Sequence, residues 1–178
     1  MTMTFNKTLL TATMLTLGGF AAMSANAAPI TSDQFDVLLK VDQTCTVVTG
    51  ATADINLGTV AAGQAQLVGS EKTGTTTITT NCSVGSSAKI TLQPVSTTST
   101  NGTGNLKGSG DALGQNVAYK LTSVSSTGPA WGTTTPVTTA VADSYAVGIE
   151  TIVYATVTDE ADVIPGNYKD TVNVSVIF

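Results

Sequence analysis

The sequence predicts an all-β fold, an antiparallel sandwich of about seven strands, on three observations. From Cys45 onward, apolar residues do not recur at the i, i+3, i+4, i+7 spacing of an amphipathic helix. Thr, Val, Ile and Tyr, whose side chains suit a pleated surface, dominate the same region. Turn-forming pairs punctuate it, among them Thr49-Gly50, Asn101-Gly102 and Pro165-Gly166.

The chain opens differently. Lys7 is the single charge before an apolar run, Leu9 to Met23, and Ala25-Asn26-Ala27 then supplies a small-x-small cleavage pattern. Residues 1–27 therefore read as an export signal peptide, cut between Ala27 and Ala28. A membrane anchor needs about 20 apolar residues; this run is shorter and is interrupted by Thr11, Thr13 and Thr16. The remaining 151 residues carry 6 Lys and 12 acidic groups, a net charge of −6. They suit one domain with a real core. With no Arg and scattered Lys, the clustered basic charge of a nucleic-acid footprint is missing. Two cysteines in an exported chain, Cys45 and Cys82, predict one disulfide.

Taken in order, Phe35, Val37, Leu39 and Val41 lie on one face of an extended strand, with Asp36 and Lys40 on the other. Leu38 departs from the alternation. Such a strand has two uses: it pairs within its own sheet, or it is offered to the sheet edge of another molecule. Cys45 to Val48 and Ala53 to Leu57 read as short strands, and residues 61–70 as loop. Thr75 to Cys82 is a Thr-rich strand, and Ala88 to Val95 places Ile90 and Leu92 on one face. Ser96 to Gly110, crowded with Ser, Thr, Gly and Asn, reads as a long surface loop. Asn116 to Leu121 turns Val117, Tyr119 and Leu121 inward. Thr122 to Ala142 is loop with at most one short strand and holds Trp131. Ile149 to Thr158 is a continuous β-prone run, expected to be buried on both faces. Tyr168 to Phe178 closes the chain as one strand, with Val172, Val174, Val176 and Phe178 on a common face.

No catalytic arrangement is legible. Without His, neither a Ser-His-Asp nor a Cys-His arrangement can be built. Asp159, Glu160 and Asp162 form an acidic cluster that lacks the ligand spacing and glycine of an EF-hand, so it reads as a solvated turn rather than a metal site. No cofactor motif is present, and Gly-rich pieces such as Lys107-Gly108-Ser109-Gly110 lack the phosphate-loop pattern.

The ending Gly166-Asn167-Tyr168-Lys169-Asp170-Thr171 resembles the Gly-x-Tyr-x-Asp-Thr terminus of the spore coat protein U domain family, which includes the major pilins of archaic chaperone-usher fimbriae. Cys45-Thr46-Val47, Ile55-Asn56-Leu57-Gly58, the Thr-rich strand into Cys82 and Val117-Ala118-Tyr119-Lys120-Leu121 extend the resemblance over nearly the whole mature chain. It implies an incomplete immunoglobulin-like antiparallel β-sandwich, residues 45–178, missing its last strand. The vacancy lies beside the C-terminal strand, here Tyr168, Val172, Val174, Val176 and Phe178. A periplasmic chaperone fills it first. At an outer-membrane usher, the chain's only implied tie to a membrane, the donor strand of the next subunit replaces the chaperone. Here that donor extension is residues 28–44, with Phe35, Val37, Leu39 and Val41 entering the groove. The implied product is a head-to-tail homopolymer, a cell-surface fimbria serving adhesion or biofilm formation and carrying a tip adhesin. Other classes compete: a self-contained secreted coat protein, whose Phe35 to Val41 would complete its own sheet, or a carbohydrate-binding sandwich with Trp131 as stacking platform.

Overall fold

The computed structural model describes residues 33–49, 54–62, 64 and 71–178. The expected signal peptide, its expected junction between Ala27 and Ala28, and most of the expected 61–70 loop lie outside these residues. The chain divides into a unit ending at Leu39 and a unit from Lys40 to Phe178.

Every described strand belongs to the second unit: β1 (Cys45–Thr49), β2 (Thr73–Cys82), β3 (Lys89–Pro94), β4 (Thr103–Gly108), β5 (Asn116–Ser123), β6 (Val137–Thr138), β7 (Ile149–Val157), β8 (Tyr168–Lys169) and β9 (Val172–Ile177). They form a six-stranded sheet, in the order β1-β2-β7-β5-β4-β8, and a three-stranded sheet, β6-β3-β9. All pairings are antiparallel. The expected fold class is found.

Between the sheets lies the main core. Ile78, Tyr119, Leu121, Val153 and Ala155 come from the larger sheet and Ile90 and Leu92 from the smaller. The inward positions read from alternation in β3 and β5 are those the fold buries. Cys45 and Cys82 are directly opposite in the β1–β2 ladder and form the disulfide, which clips the edge strand β1 to the sheet. Closing a loop of 37 residues contributes about 3–4 kcal/mol in the chain-entropy account.

Four expectations need correcting. The polar stretch from Ser96 to Gly110 is not a loop throughout, because it contains β4, paired along its length with β5. Glycine supplies this strand's fit rather than β propensity: Gly104 sits opposite Tyr119, and a Cβ there would come within 2.6 Å of the phenol ring. Residues 54–57 form no strand, although Ile55 and Leu57 pack onto the core. In β7, burial on both faces is confined to Ala155, Thr156 and Val157, and Ile152 is exposed. The C-terminal strand is not continuous: β8 pairs with β4 in the large sheet and β9 with β3 in the small one, so the chain crosses between layers at Asp170-Thr171.

Candidate functional site

The β9 edge is where the fold is unfinished. Its residues Val172, Val174 and Val176 stand directly opposite Pro94, Leu92 and Ile90 of β3, and directly opposed residues share a face of the sheet. Ile90, Leu92 and Pro94 are fully buried, whereas their three valine neighbours, packed on the same core, are only half-buried. The cover is therefore missing on the side beyond β9. Among the described residues that side has no strand partner, so half of the β9 backbone groups face it without a ladder.

The large sheet shows a matching gap at β1. Val47 lies opposite Thr80, on the core-facing side; Thr80 is fully buried and Val47 is exposed. Cys45 at the start of β1 and Val176 near the end of β9 pack on the same small cluster of Cys82, Ala88 and Ala142. The two uncovered edges thus converge at one end of the sandwich, where Ile177 and Phe178 are also exposed. A row of half-buried valines thus lies beside a backbone edge that has no strand partner among the described residues.

Of the residues expected to form this acceptor, Val172, Val174 and Val176 lie together on β9 and Phe178 follows it. Tyr168 does not join them, because it lies in β8 and packs on a second cluster with Val117, Val157 and Ala161.

At the foot of β9 is a polar junction centred on Asp170. The Asp170 carboxylate accepts hydrogen bonds from the Tyr119 hydroxyl (2.8 Å), the Ser96 hydroxyl (2.5 Å) and the Thr171 amide (2.8 Å). Ser96 in turn accepts from the Asn105 amide, and the Val95 amide donates to the Thr171 carbonyl. Strands of both layers are thereby tied at the point where the chain crosses to become β9. The only sequence signal was the Asp of the Gly-x-Tyr-x-Asp-Thr ending. Burial first, then the hydrogen bond to Asp170 and its negative charge, push the Tyr119 phenol far above its ordinary range.

Tyr119→Phe should cost about 1.5–3 kcal/mol at neutral pH, the worth of a buried hydrogen bond to a charged group. A pH signature accompanies it. The folded-state pKa is raised, so this contribution is complete below the unfolded tyrosine pKa of about 10 and is lost as pH rises beyond it. Urea unfolding at pH 7 and pH 11 should therefore show a larger loss for the wild type than for the Phe variant. Equal losses would remove Tyr119 as the cause.

The candidate donor residues Phe35, Val37, Leu39 and Val41 form no strand, and their exposures lie between 81% and 87%. Leu38, the residue off the alternation, is exposed to the same degree.

Two further sites named in the sequence can be placed. Trp131 is no stacking platform: it is fully buried in the main core, and its indole Nε1 donates to the Ile90 carbonyl at 2.9 Å. Asp159 accepts from the Ala118 amide (2.6 Å) and the Ala161 amide (2.9 Å), bracing the turn after β7. Among the described residues no group of three or more His, Cys, Asp or Glu side chains is placed to hold a metal.

A family model described as the Spore Coat Protein U domain matches residues 31–175. No curated protein matches the sequence. Among solved structures, the fold is similar to a chain of the CsuC-CsuE chaperone-tip adhesion subunit pre-assembly complex from archaic chaperone-usher Csu pili of Acinetobacter baumannii, at 21% identity and a TM-score of 0.54. That likeness covers 78% of this chain and 40% of the other, so the chain spans less than half of the protein it matches.

Proposed function

The chain belongs to the spore coat protein U domain family, and from that premise we propose that it is a structural pilin that polymerises by donor-strand exchange. The observation that carries this reading is the pairing of a vacancy with a spare strand: half-buried valines on the open edge of β9, and four exposed apolar residues at alternate positions upstream of Cys45. Insertion of an extended segment beside a sheet edge is a mode of recognition already known for chaperone–pilin pairs. Main-chain hydrogen bonds supply affinity, and alternate side chains supply specificity.

Burying Phe35, Val37, Leu39 and Val41 at about 1.5–3 kcal/mol each contributes roughly 6–12 kcal/mol as an upper estimate. A donor and a groove on one molecule make a head-to-tail contact that does not close on itself, and such contacts propagate as fibres. The same open edge is an aggregation template before assembly. On this reading a periplasmic chaperone occupies it until an outer-membrane usher exchanges the strands, and the product is a surface fimbria for adhesion or biofilm formation that carries a separate tip adhesin.

The test compares the exported mature chain with one lacking Ala28 to Thr44, each with its chaperone, on unboiled gels. The expected result is a ladder for the full chain that disappears on deletion while the chaperone complex persists. A single monomer band that forms without a chaperone would instead mean a self-contained coat domain.

A further inference from the structure

The proposed polymer leaves open what fixes the direction and register of the incoming strand. Lys107 of β4 and Lys169 of β8 are direct cross-strand neighbours at the sheet edge. Like charges so placed are destabilising. Neither lysine has an ion-pair partner among the described residues. Both line one open recess, together with Val95, Ser96, Asp170 and Thr171, at the foot of β9. The Asp170 carboxylate in that recess is committed to Tyr119, Ser96 and the Thr171 amide.

The strand that would lie on β9 offers four apolar positions against four. Run antiparallel, it sets Val41 beside Val172, Leu39 beside Val174, Val37 beside Val176 and Phe35 beside Phe178. Asp42 then arrives beside Thr171, at the mouth of the lysine recess. Run parallel with the same apolar matching, it would bring Asp33 beside Asp170, into the same recess. Either direction carries an acid to the lysines, so the direction rests on the ladder, which is somewhat stronger antiparallel. Within its own chain Asp42 pairs only with Lys40, at 2.7 Å with both side chains largely exposed, a contact weak enough to exchange.

We infer that Lys107 and Lys169 form an anchor for the Asp42 carboxylate of the next copy of this chain, and that this contact fixes the register of the inserted strand. The inference rests on the donor-strand reading above. Asp42 brings a negative charge to two like-charged, exposed neighbours, a contact of small worth in affinity. It acts at the rim of the groove, where charge governs the rate and fidelity of docking more than final affinity.

A charge swap tests it with the full mature chain at low ionic strength, read as the rate of ladder formation on unboiled gels. Asp42→Lys, and separately the double variant Lys107→Glu/Lys169→Glu, should each slow assembly about five- to tenfold. The triple variant should recover to within about twofold of the wild type. Salt near 1 M should shrink all differences, because it shortens the screening length to about 3 Å. Wild-type rates in either reversal, or a triple variant as slow as its parents, would overturn the anchor. Should the double reversal fail to fold, Lys107→Gln/Lys169→Gln should slow the wild-type donor and leave the rate of an Asp42→Asn chain unchanged. Additive slowing in that cycle would equally overturn the anchor. Absence of any wild-type ladder would instead defeat the donor-strand reading beneath it.

Discussion

Leu39→Asp should abolish polymerisation while leaving the chaperone complex intact. Residue 39 is 87% exposed, so the substitution costs the free subunit almost nothing and its melting temperature should not move. Insertion beside β9 would carry the new carboxylate onto the half-buried valine face. An unpaired charge buried there costs about 3–5 kcal/mol, and the lost leucine burial adds about 1.5–3 kcal/mol. At tenfold per 1.4 kcal/mol, exchange falls by more than about a thousandfold. On the donor-strand reading a chaperone brings its own strand, so its complex would depend on the acceptor and not on residue 39. An unboiled gel separates the cases: no ladder, with the heterodimer retained. Normal ladders would sink the donor assignment.

The second large effect concerns the core beneath the acceptor. Trp131→Ala should destabilise the domain by about 3–5 kcal/mol, in the range for removing a buried aromatic side chain. The indole is fully buried, and its loss would leave the Ile90 carbonyl without its Nε1 partner. Ile90 belongs to β3, which is the strand partner of β9 among the described residues, so loosening it should also weaken chaperone capture. Urea unfolding measures the first effect and co-purification with the chaperone the second. Because Trp131 is the chain's single tryptophan, its emission reports the site directly. It should be blue-shifted in the folded protein and indifferent to added sugars. A loss below about 1 kcal/mol would return Trp131 to the surface.

The burial of Trp131 shows where local pattern stops. Its neighbours Pro129, Gly132 and Thr133 are loop formers, and the segment is indeed largely irregular. A loop nevertheless reaches the core when its backbone is satisfied elsewhere. The Trp131 amide donates to the Leu121 carbonyl, and Gly102, at φ +80°, lies so close to the Trp131 carbonyl that a side chain there would collide with it. Those partners lie 10 and 29 residues away, beyond any window of periodicity. The hidden strand β4 failed for the same reason. Thr103-Gly104-Asn105-Leu106-Lys107-Gly108 has little intrinsic β preference, and it is a strand because β5 and β8 pair with both of its edges.

Where one face of a strand meets the core, period-2 alternation alone was sufficient. It identified the inward residues of β3, β5 and β9, because a strand half in water must alternate whatever it pairs with. Composition established the all-β class, and cysteine count with export signals anticipated the disulfide. Tertiary structure alone decided that the C-terminal strand breaks at Asp170 and changes sheets, that Tyr119 and Ser96 hold that crossing, and that Lys107 and Lys169 stand side by side. Each of these joins residues more than 50 positions apart, and only the order in which strands meet in the sheets brings them together.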